Sequence, residues 1–256
     1  GWGLLHPRDP AAAADCAEAA ASVSHDGEGI NGARFIAACV ARAFDETDVP
    51  GIIGAGLGVI PQHSAYARVV RDVVQMHRLH PADFRVCLDF LRREHGYDRY
   101  GGAVPIVPNA GVVVLALLYG AGDFSKTVCI AAMCGWDTDC NSGNAGCIAG
   151  VRCGLGGIDP SWREPINDVL IGSSAVGSLN IIDIPTLAKE YAGLPKAVEP
   201  TDLKFDFELP GSTHGFRVAG AAGACRLSNS SWAAASGERS LMIEISGVEP
   251  GGGVLD

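Results

Sequence analysis

The chain has 256 residues, of which 48% are hydrophobic and 19% charged, and its formal net charge at pH 7 is −10. This content is enough for one large domain with a sizeable core, or for one domain with an additional segment. The negative charge argues against nucleic acid as a general partner, because phosphate binding depends on Lys and Arg. No apolar run approaches the ~20 residues of a spanning helix, so we expect neither a membrane partner nor a signal peptide.

The cysteines indicate a reducing compartment. Nine are present and none forms a C-x-x-C pair, so the spacings of zinc ribbons and thioredoxins are absent. Five lie between residues 129 and 153, among Ala, Ile and Gly, where free Cys behaves as a small buried hydrophobe. The odd number and these surroundings favour a cytoplasmic protein over a disulfide scaffold.

Helical patterns follow one another from residue 9 to about residue 192. Asp9 before Pro10 predicts a capped helix that runs over residues 11–23. Further helices are predicted over residues 31–44, 65–79, 81–95, 109–119, 126–133 and 181–191. The very apolar stretch 109–119 is expected to be the central helix. No convincing alternating strand occurs in this part, which predicts an all-helical domain over residues 1–195.

The composition changes at Leu194. Residues 203–209 alternate apolar and charged side chains strictly, which predicts a half-buried strand, and residues 241–245 are a second predicted strand. We expect the strands to be confined to residues 203–245. Two or three strands in about sixty residues cannot close a β-sandwich, so residues 196–256 are predicted to be a β-rich segment, a truncated sandwich module. Such a module could bind a glycan.

One stretch concentrates the candidate chemistry. Residues 135–140 read G-W-D-T-D-C and run into a Gly- and Ala-rich segment that lets another helix approach. Asp137 and Asp139 therefore flank Thr138 at the start of a helix. Side-chain oxygens at such a position commonly cap backbone N–H groups, and carboxylates are also ligands of hard cations. The spacing alone leaves capping and metal binding equally open.

This motif resembles the C-terminal signature of the ADP-ribosylglycohydrolase family, G-G/W/L-D-T-D followed by Thr, Ser or Cys and a small-residue helix. Residues 21–33 are similar to the family's S-[IV]-[ST]-H…G-x-x-[GA]-A segment, and residues 107–110 resemble the loop and helix start that precede the D-T-D motif. Order and rough spacing agree over about residues 1–195. The resemblance implies a mainly α, multi-helix bundle, followed here by the short β-rich segment.

The resemblance also implies metal ligands. Asp137 and Asp139 would be catalytic residues that ligate one or both of a pair of Mg²⁺ (or Mn²⁺) ions. Cys140 would be a third metal-site residue, at a position where Thr or Ser often donates an oxygen. This departure leaves one ligand open, because a thiolate is soft and magnesium prefers oxygen.

Substrate contacts are implied for the upstream segment. His25 would contact the diphosphate or ribose of ADP-ribose, and Gly29 and Asn31 would also bind the substrate. The alternative role of His25 is a cation at a helix C-terminus. If the metal interpretation holds, the carboxylates of Asp137 and Asp139 should converge on one pocket that His25 also lines.

The family's other ligands belong to a T-D-D-like motif, and its ribose-cradling loop to an N-G-x-x-M-R-like motif, both upstream of the segment with which this chain starts. No Asp-Asp pair occurs in the 256 residues. A two-metal centre with ions ~4 Å apart cannot be assembled from Asp137 and Asp139 alone. We therefore expect a chain that lacks the N-terminal portion and is inactive by itself.

The leading functional hypothesis is metal-dependent hydrolysis of the glycosidic bond to ADP-ribose in an ADP-ribosylated protein or a small ADP-ribose conjugate. By resemblance, the metals would orient the ribose hydroxyls and polarise a bound water. Two alternatives stay open. One is a non-catalytic ADP-ribose or glycan-binding protein, and the other is a hydrolase of the same fold that acts on another ribosyl or glycosyl compound.

Overall fold

The computed structural model of the chain describes residues 1–171, 181–193, 205–218 and 225–246. The chain divides into two compact units, Gly1–Asp159 and Pro160–Asp256. The predicted mainly α fold is confirmed, and short strands lie towards the C-terminal end. Within the described ranges, no helix has both the length and the apolar character needed to cross a lipid bilayer.

The first unit is built from α-helices. These are α1 (Trp2–Leu5), α2 (Pro10–Ala21), α3 (Gly27–Arg42), α4 (Val49–Gly58), α5 (Ala65–Leu79), α6 (Phe84–Glu94), α7 (Ile106–Gly120), α8 (Phe124–Met133) and α9 (Thr138–Cys153). Two 3₁₀ turns, Tyr97–Arg99 and Leu155–Gly157, complete the unit.

Side-chain caps explain where several of these helices begin. The capping oxygens accept hydrogen bonds from backbone N–H groups in the first helical turn, as an N-cap residue should. They belong to Asp9, Asp48, Ser64, Asp83 and Asp123. The predicted cap at Asp9, with Pro10 at the first helical position, is confirmed.

The core is organised around α7, as the apolar run predicted. Every residue from Val107 to Gly120 is buried, and α7 contacts α3, α4, α5, α6, α8 and α9. A buried Val or Leu stabilises the fold by about 1.5–3 kcal/mol, so this helix is a main source of stability. It begins at Ile106, three residues before the predicted start, because Pro108 is tolerated in the first turn.

The second unit contains short elements. They are α10 (Pro160–Arg163), β1 (Val169–Ile171), β2 (Ile181–Asp183), α11 (Ile184–Tyr191), β3 (Cys225–Ser230) and β4 (Ser240–Ile245). Strands β1 and β2 pair antiparallel, as do β3 and β4, whose register runs from Cys225↔Ile245 to Ser230↔Ser240. The predicted strand over residues 241–245 is confirmed as part of β4.

The expectation that strands are confined to residues 203–245 is wrong, because β1 and β2 precede that range. Strands of three residues are too short to show an alternating pattern. The last predicted helix begins at Ile184 instead of residue 181, since Asp183 caps it and the preceding residues pair as β2.

The predicted strand over residues 203–209 is also wrong where it can be observed. Residues 203 and 204 lie outside the described residues, and residues 205–209 form no strand. Phe207 has a φ of 54°, a left-handed conformation that no strand accommodates. The alternating charges serve turns instead, since the Glu208 carboxylate accepts hydrogen bonds from the backbone N–H groups of Glu238 and Arg239.

Candidate metal centre

The loop that enters α9 has an unusual backbone. Gly135 has a φ of 76° and Trp136 a φ of 58°, so two consecutive residues are left-handed. Asp137 follows with φ −82° and ψ 70°, and the backbone N–H of Thr138 donates to the Trp136 carbonyl at 3.0 Å. This is an inverse γ-turn centred on Asp137. A left-handed Trp costs about 1–3 kcal/mol, and such strain concentrates at functional sites.

Asn109 holds this loop from the first turn of α7. Its side-chain oxygen accepts hydrogen bonds from the backbone N–H of Asp137 at 3.3 Å and from the amide of Asn141 at 2.8 Å. Its amide nitrogen donates to the Tyr97 hydroxyl and the Pro105 carbonyl, each at 2.8 Å. The buried amide is therefore satisfied on both ends, and it fixes where α9 begins relative to α7.

An aromatic stack supports the strained Trp136. The rings of Tyr97 and Trp136 are stacked with centroids 5.0 Å apart and planes 25° apart. Close to Tyr97, the ring of the buried His95 hydrogen-bonds Asp72 at 2.9 Å and the Tyr100 hydroxyl at 3.0 Å. The loop that carries Tyr97 is thus tied to α5, and we give His95 a positioning role that its sequence context did not suggest.

The structure brings Asp137, Asp139 and Cys140 together. One potential ligand atom from each lies within 4.8 Å of the other two. Asp137 is half-buried, and the other two residues are exposed. Two carboxylates at this separation can hold a divalent cation between them, and Mg²⁺ commonly takes one or two carboxylates and completes its shell with water. The aspartates fit such an ion, whereas the sulfur of Cys140 is a poor partner for it.

Asp137 occupies the N-cap position of α9, but its side chain makes no capping hydrogen bond. The N-cap aspartates of α2, α4, α6, α8 and α11 all make one. Asp26, at the N-cap of α3, likewise makes no capping hydrogen bond. The capping role that spacing left open for Asp137 is therefore not realised, and its carboxyl group instead contacts Asp139 and Cys140.

The local charges set the protonation of the cluster. The backbone N–H of Cys140 and the neighbouring Asp137 carboxyl lower the pKa of Asp139, so Asp139 stays ionised further into the acidic range. A hydrogen bond to Asp137, burial and the two negative charges raise the pKa of the Cys140 thiol. In the metal-free protein Cys140 is thus a neutral thiol beside a carboxylate.

Contacts between neighbouring helices connect the N-termini of α3, α5, α7 and α9. Glu28, in the first turn of α3, accepts hydrogen bonds from the backbone N–H groups of Ala65 at 2.8 Å and Tyr66 at 3.1 Å, where α5 begins. A Cβ placed on Gly32 would lie 3.0 Å from Ile106, the first residue of α7. Asn109 links α7 to α9 in turn. Helix N-termini carry positive partial charge and suit anionic ligands.

The predicted substrate residues cluster at the start of α3. His25 is exposed, and its Nδ1 lies 2.8 Å from the Ser24 hydroxyl. A Cβ on Gly29 would lie 3.1 Å from the Cβ of His25, so the glycine makes room for that residue. Asn31 donates to Glu28 at 3.1 Å and so orients the carboxylate that joins α3 to α5. Helix α3 contacts both α7 and α9, and a shared pocket of His25 with the aspartates stays a prediction.

For two residues of this region, Asn109 and Glu28, the sequence predicted no role. Asn109 is the only amide in an otherwise apolar helix, and that isolation was the available signal, because a buried amide needs partners. Glu28 carried no such signal, since an acidic residue in a first helical turn is common.

The small residues of α9 were predicted to let another helix approach, and part of that prediction is confirmed. A Cβ on Gly146 would lie 3.3 Å from Val128 and one on Gly150 would lie 3.5 Å from Phe124, both on α8. A Cβ on Gly143 would meet nothing within 4 Å. Among these glycines, close approach to α8 therefore begins at Gly146, about two helical turns beyond Asp139.

A family model described as ADP-ribosylglycohydrolase matches residues 2–197 of the chain. No curated protein and no solved structure matches it.

Proposed function

This chain belongs to the ADP-ribosylglycohydrolase family, and from that membership we propose that Asp137 and Asp139 hold a divalent metal ion, Mg²⁺ or Mn²⁺. We further propose that the protein hydrolyses the glycosidic bond between ADP-ribose and an ADP-ribosylated protein or small conjugate. The family supports a glycohydrolase-type activity. The observation that carries the metal proposal is the uncapped carboxylate of Asp137, which lies beside that of Asp139.

When bound, the ion would polarise a water and orient the ribose hydroxyls. The role of the two aspartates is to fix its position, and the role of Asn109 is to fix theirs through the backbone N–H of Asp137. About six oxygen ligands complete the shell of Mg²⁺, so most of them must come from water, substrate or other side chains. A second ion would need further protein ligands.

The proposed substrate contacts lie at the N-terminus of α3. Within the described part of the chain, the Nδ1 of His25 engages Ser24 and its Nε2 has no partner, so this nitrogen is free to bond a phosphate or ribose oxygen. The N-termini of α3 and α7 would favour the negative charge of a diphosphate there.

The test is release of free ADP-ribose by the protein, measured with Mg²⁺, with EDTA, and after Mg²⁺ is added back. Asp137→Asn and Asp139→Asn should lose activity and keep the circular dichroism spectrum, because amide and carboxylate have nearly the same size. Asp89→Asn, on the exposed face of α6, is the control and should be fully active. Full activity in EDTA, or in both active-site variants, would overturn the metal proposal.

A second candidate rests on Cys140. A neutral thiol stands where an oxygen ligand is expected, and a weakened metal site would leave a non-catalytic ADP-ribose-binding protein. This candidate predicts binding of ADP-ribose without turnover and without a requirement for metal. A hydrolase of the same fold that acts on another glycosyl compound would instead release a sugar, in a metal-dependent manner, from substrates other than ADP-ribose conjugates.

We also propose a cytoplasmic location. All nine cysteines are free thiols, and Cys129 and Cys140 are exposed. Free exposed thiols persist in a reducing compartment.

A further inference from the structure

The second unit contains a cavity of about 490 Å³. Its wall is formed by α10 and the residues that follow it, by the segment over residues 211–218, and by β3. A cavity of this size falls within the range of small-molecule sites, which is about 300–1,000 Å³. No residue of the candidate metal centre lines it, so what it binds is independent of the function proposed above.

Three arginines line this cavity: Arg163, Arg217 and Arg226. The guanidinium of Arg163 donates to the Pro210 carbonyl at 3.4 Å. Among the described residues, neither Arg217 nor Arg226 forms an ion pair, and both are exposed to solvent. A guanidinium presents a planar set of donors that matches a carboxylate or phosphate, so a set of arginines on one wall suits an oxyanion.

Ser228 adds an unsatisfied group to the wall. It lies on β3, lines the cavity, and its hydroxyl oxygen is buried without a hydrogen-bond partner in the described part of the chain. Buried hydroxyls are nearly always hydrogen-bonded, so a ligand or an ordered water is the expected partner.

Two consecutive residues beside the arginines have a left-handed backbone. Asn167 and Asp168 have φ values of 51° and 60°, and both line the cavity. The amide of Asn167 donates to the Phe216 carbonyl at 3.0 Å, and the Thr213 hydroxyl donates to the Asn167 side-chain oxygen at 2.6 Å. Left-handed residues held by such contacts concentrate at ligand sites.

We propose that this cavity binds a small anionic saccharide, a sugar ring that carries a phosphate or carboxylate group. The arginines bind the anionic group, and Glu164 and Asp168 accept hydrogen bonds from ring hydroxyls. Phe216, which lines the cavity and is 41% exposed, offers an apolar surface to the ring. The two acidic side chains favour a ligand with hydroxyl donors over a bare inorganic anion.

The test is isothermal titration of the 256-residue chain with glucose 6-phosphate, glucuronate, glucose and inorganic phosphate. One or both anionic sugars should bind, and their relative affinity distinguishes a phosphate from a carboxylate as the recognised group. Glucose and inorganic phosphate should bind at least about ten-fold more weakly, because each lacks one half of the recognised chemistry. Equal affinity for glucose, equal affinity for phosphate, or no binding of either anionic sugar would overturn the proposal.

Substitutions of the cavity arginines test whether the ligand binds in this cavity. Arg217→Gln and Arg226→Gln should each weaken the Kd about ten-fold, since each removes a charge-assisted hydrogen bond. The matched control is Arg78→Gln, an exposed arginine of α5 in the first unit, which should leave the Kd unchanged. An unchanged Kd in both cavity variants would place the ligand elsewhere and overturn the assignment.

Ser228→Ala separates binding from folding. If the Ser228 hydroxyl bonds the ligand, the substitution should weaken binding. The free energy of unfolding should stay unchanged or rise, because a buried unpaired group is removed. Destabilisation with unchanged binding would show instead that the hydroxyl has a structural partner, and Ser228 would then have no place in the site.

Discussion

The side-chain oxygen of Asn109 accepts a hydrogen bond of 2.8 Å from Asn141, which ties the first turn of α7 to the first turn of α9. Both side chains are buried, and the same oxygen also accepts from the backbone N–H of Asp137. The buried helix α7 therefore begins with a polar side chain, Asn109, that positions the aspartate loop.

Replacing Asn109 by Leu should lower stability and metal affinity together. The change leaves the buried amide of Asn141 unpaired, which costs about 1–3 kcal/mol in the free energy of unfolding. The backbone of Asp137 also loses its anchor, and loss of such an outer contact typically weakens metal binding about ten-fold. Urea denaturation and Mn²⁺ titration measure the two effects. Lower stability with unchanged Mn²⁺ affinity would reduce Asn109 to a packing residue.

Asp137→Ala and Asp123→Ala should affect stability differently, although both residues precede a helix. Asp123 accepts a hydrogen bond from the backbone N–H of Lys126 at 2.7 Å, so its removal should cost about 1 kcal/mol. The side chain of Asp137 caps nothing, and its removal should change stability by less than about 0.5 kcal/mol. Denaturation of both variants is the measurement, and equal losses would restore the capping role of Asp137.

Two glycines of the same motif should respond with opposite signs to alanine. A Cβ would meet nothing within 4 Å at either Gly135 or Gly143. Gly135 has a φ of 76°, so Gly135→Ala should destabilise by about 1–2 kcal/mol through backbone strain alone. Gly143 lies inside α9, and Gly143→Ala should stabilise by about 1 kcal/mol. Thermal unfolding of the pair checks this, and a stabilised Gly135→Ala would contradict the left-handed loop.

Cys140→Thr should change which metals the site prefers. A hydroxyl replaces a thiol, so Mg²⁺ should bind as tightly or more tightly, and Cd²⁺, a soft cation, should bind more weakly. Competition between the two ions on wild type and variant measures the preference. A folded variant with weaker Mg²⁺ binding would show that the thiol takes part in holding the ion.

Much of the fold could be predicted from local patterns in the sequence. The cap at Asp9 and the apolar run of α7 need only neighbouring residues to be recognised, and both were predicted. The short strands β1 and β2 were not, because three residues give no visible period. Nor was the turn at Phe207, whose left-handed conformation contradicts the strict alternation around it.

The candidate site, like the fold, was predicted from the sequence only in part. Asp137 and Asp139 stand in one motif and could be proposed from it. Their surroundings depend on contacts that are remote in the chain: Asn109 reaches Asn141 across 32 residues, and Glu28 reaches the start of α5 across 37. No pattern within a window of the sequence reports such contacts, nor the left-handed backbone of Trp136.

The central claim, that Asp137 and Asp139 hold a divalent cation, is tested most directly by titrating the 256-residue chain with Mn²⁺ and following free Mn²⁺ by electron paramagnetic resonance. The account predicts that wild type binds Mn²⁺, that Asp137→Asn and Asp139→Asn each weaken binding by about ten-fold or more, and that Asp89→Asn, on the exposed face of α6, binds as wild type does. The account would be contradicted by a wild-type chain that binds no Mn²⁺, or by unchanged binding in both site variants.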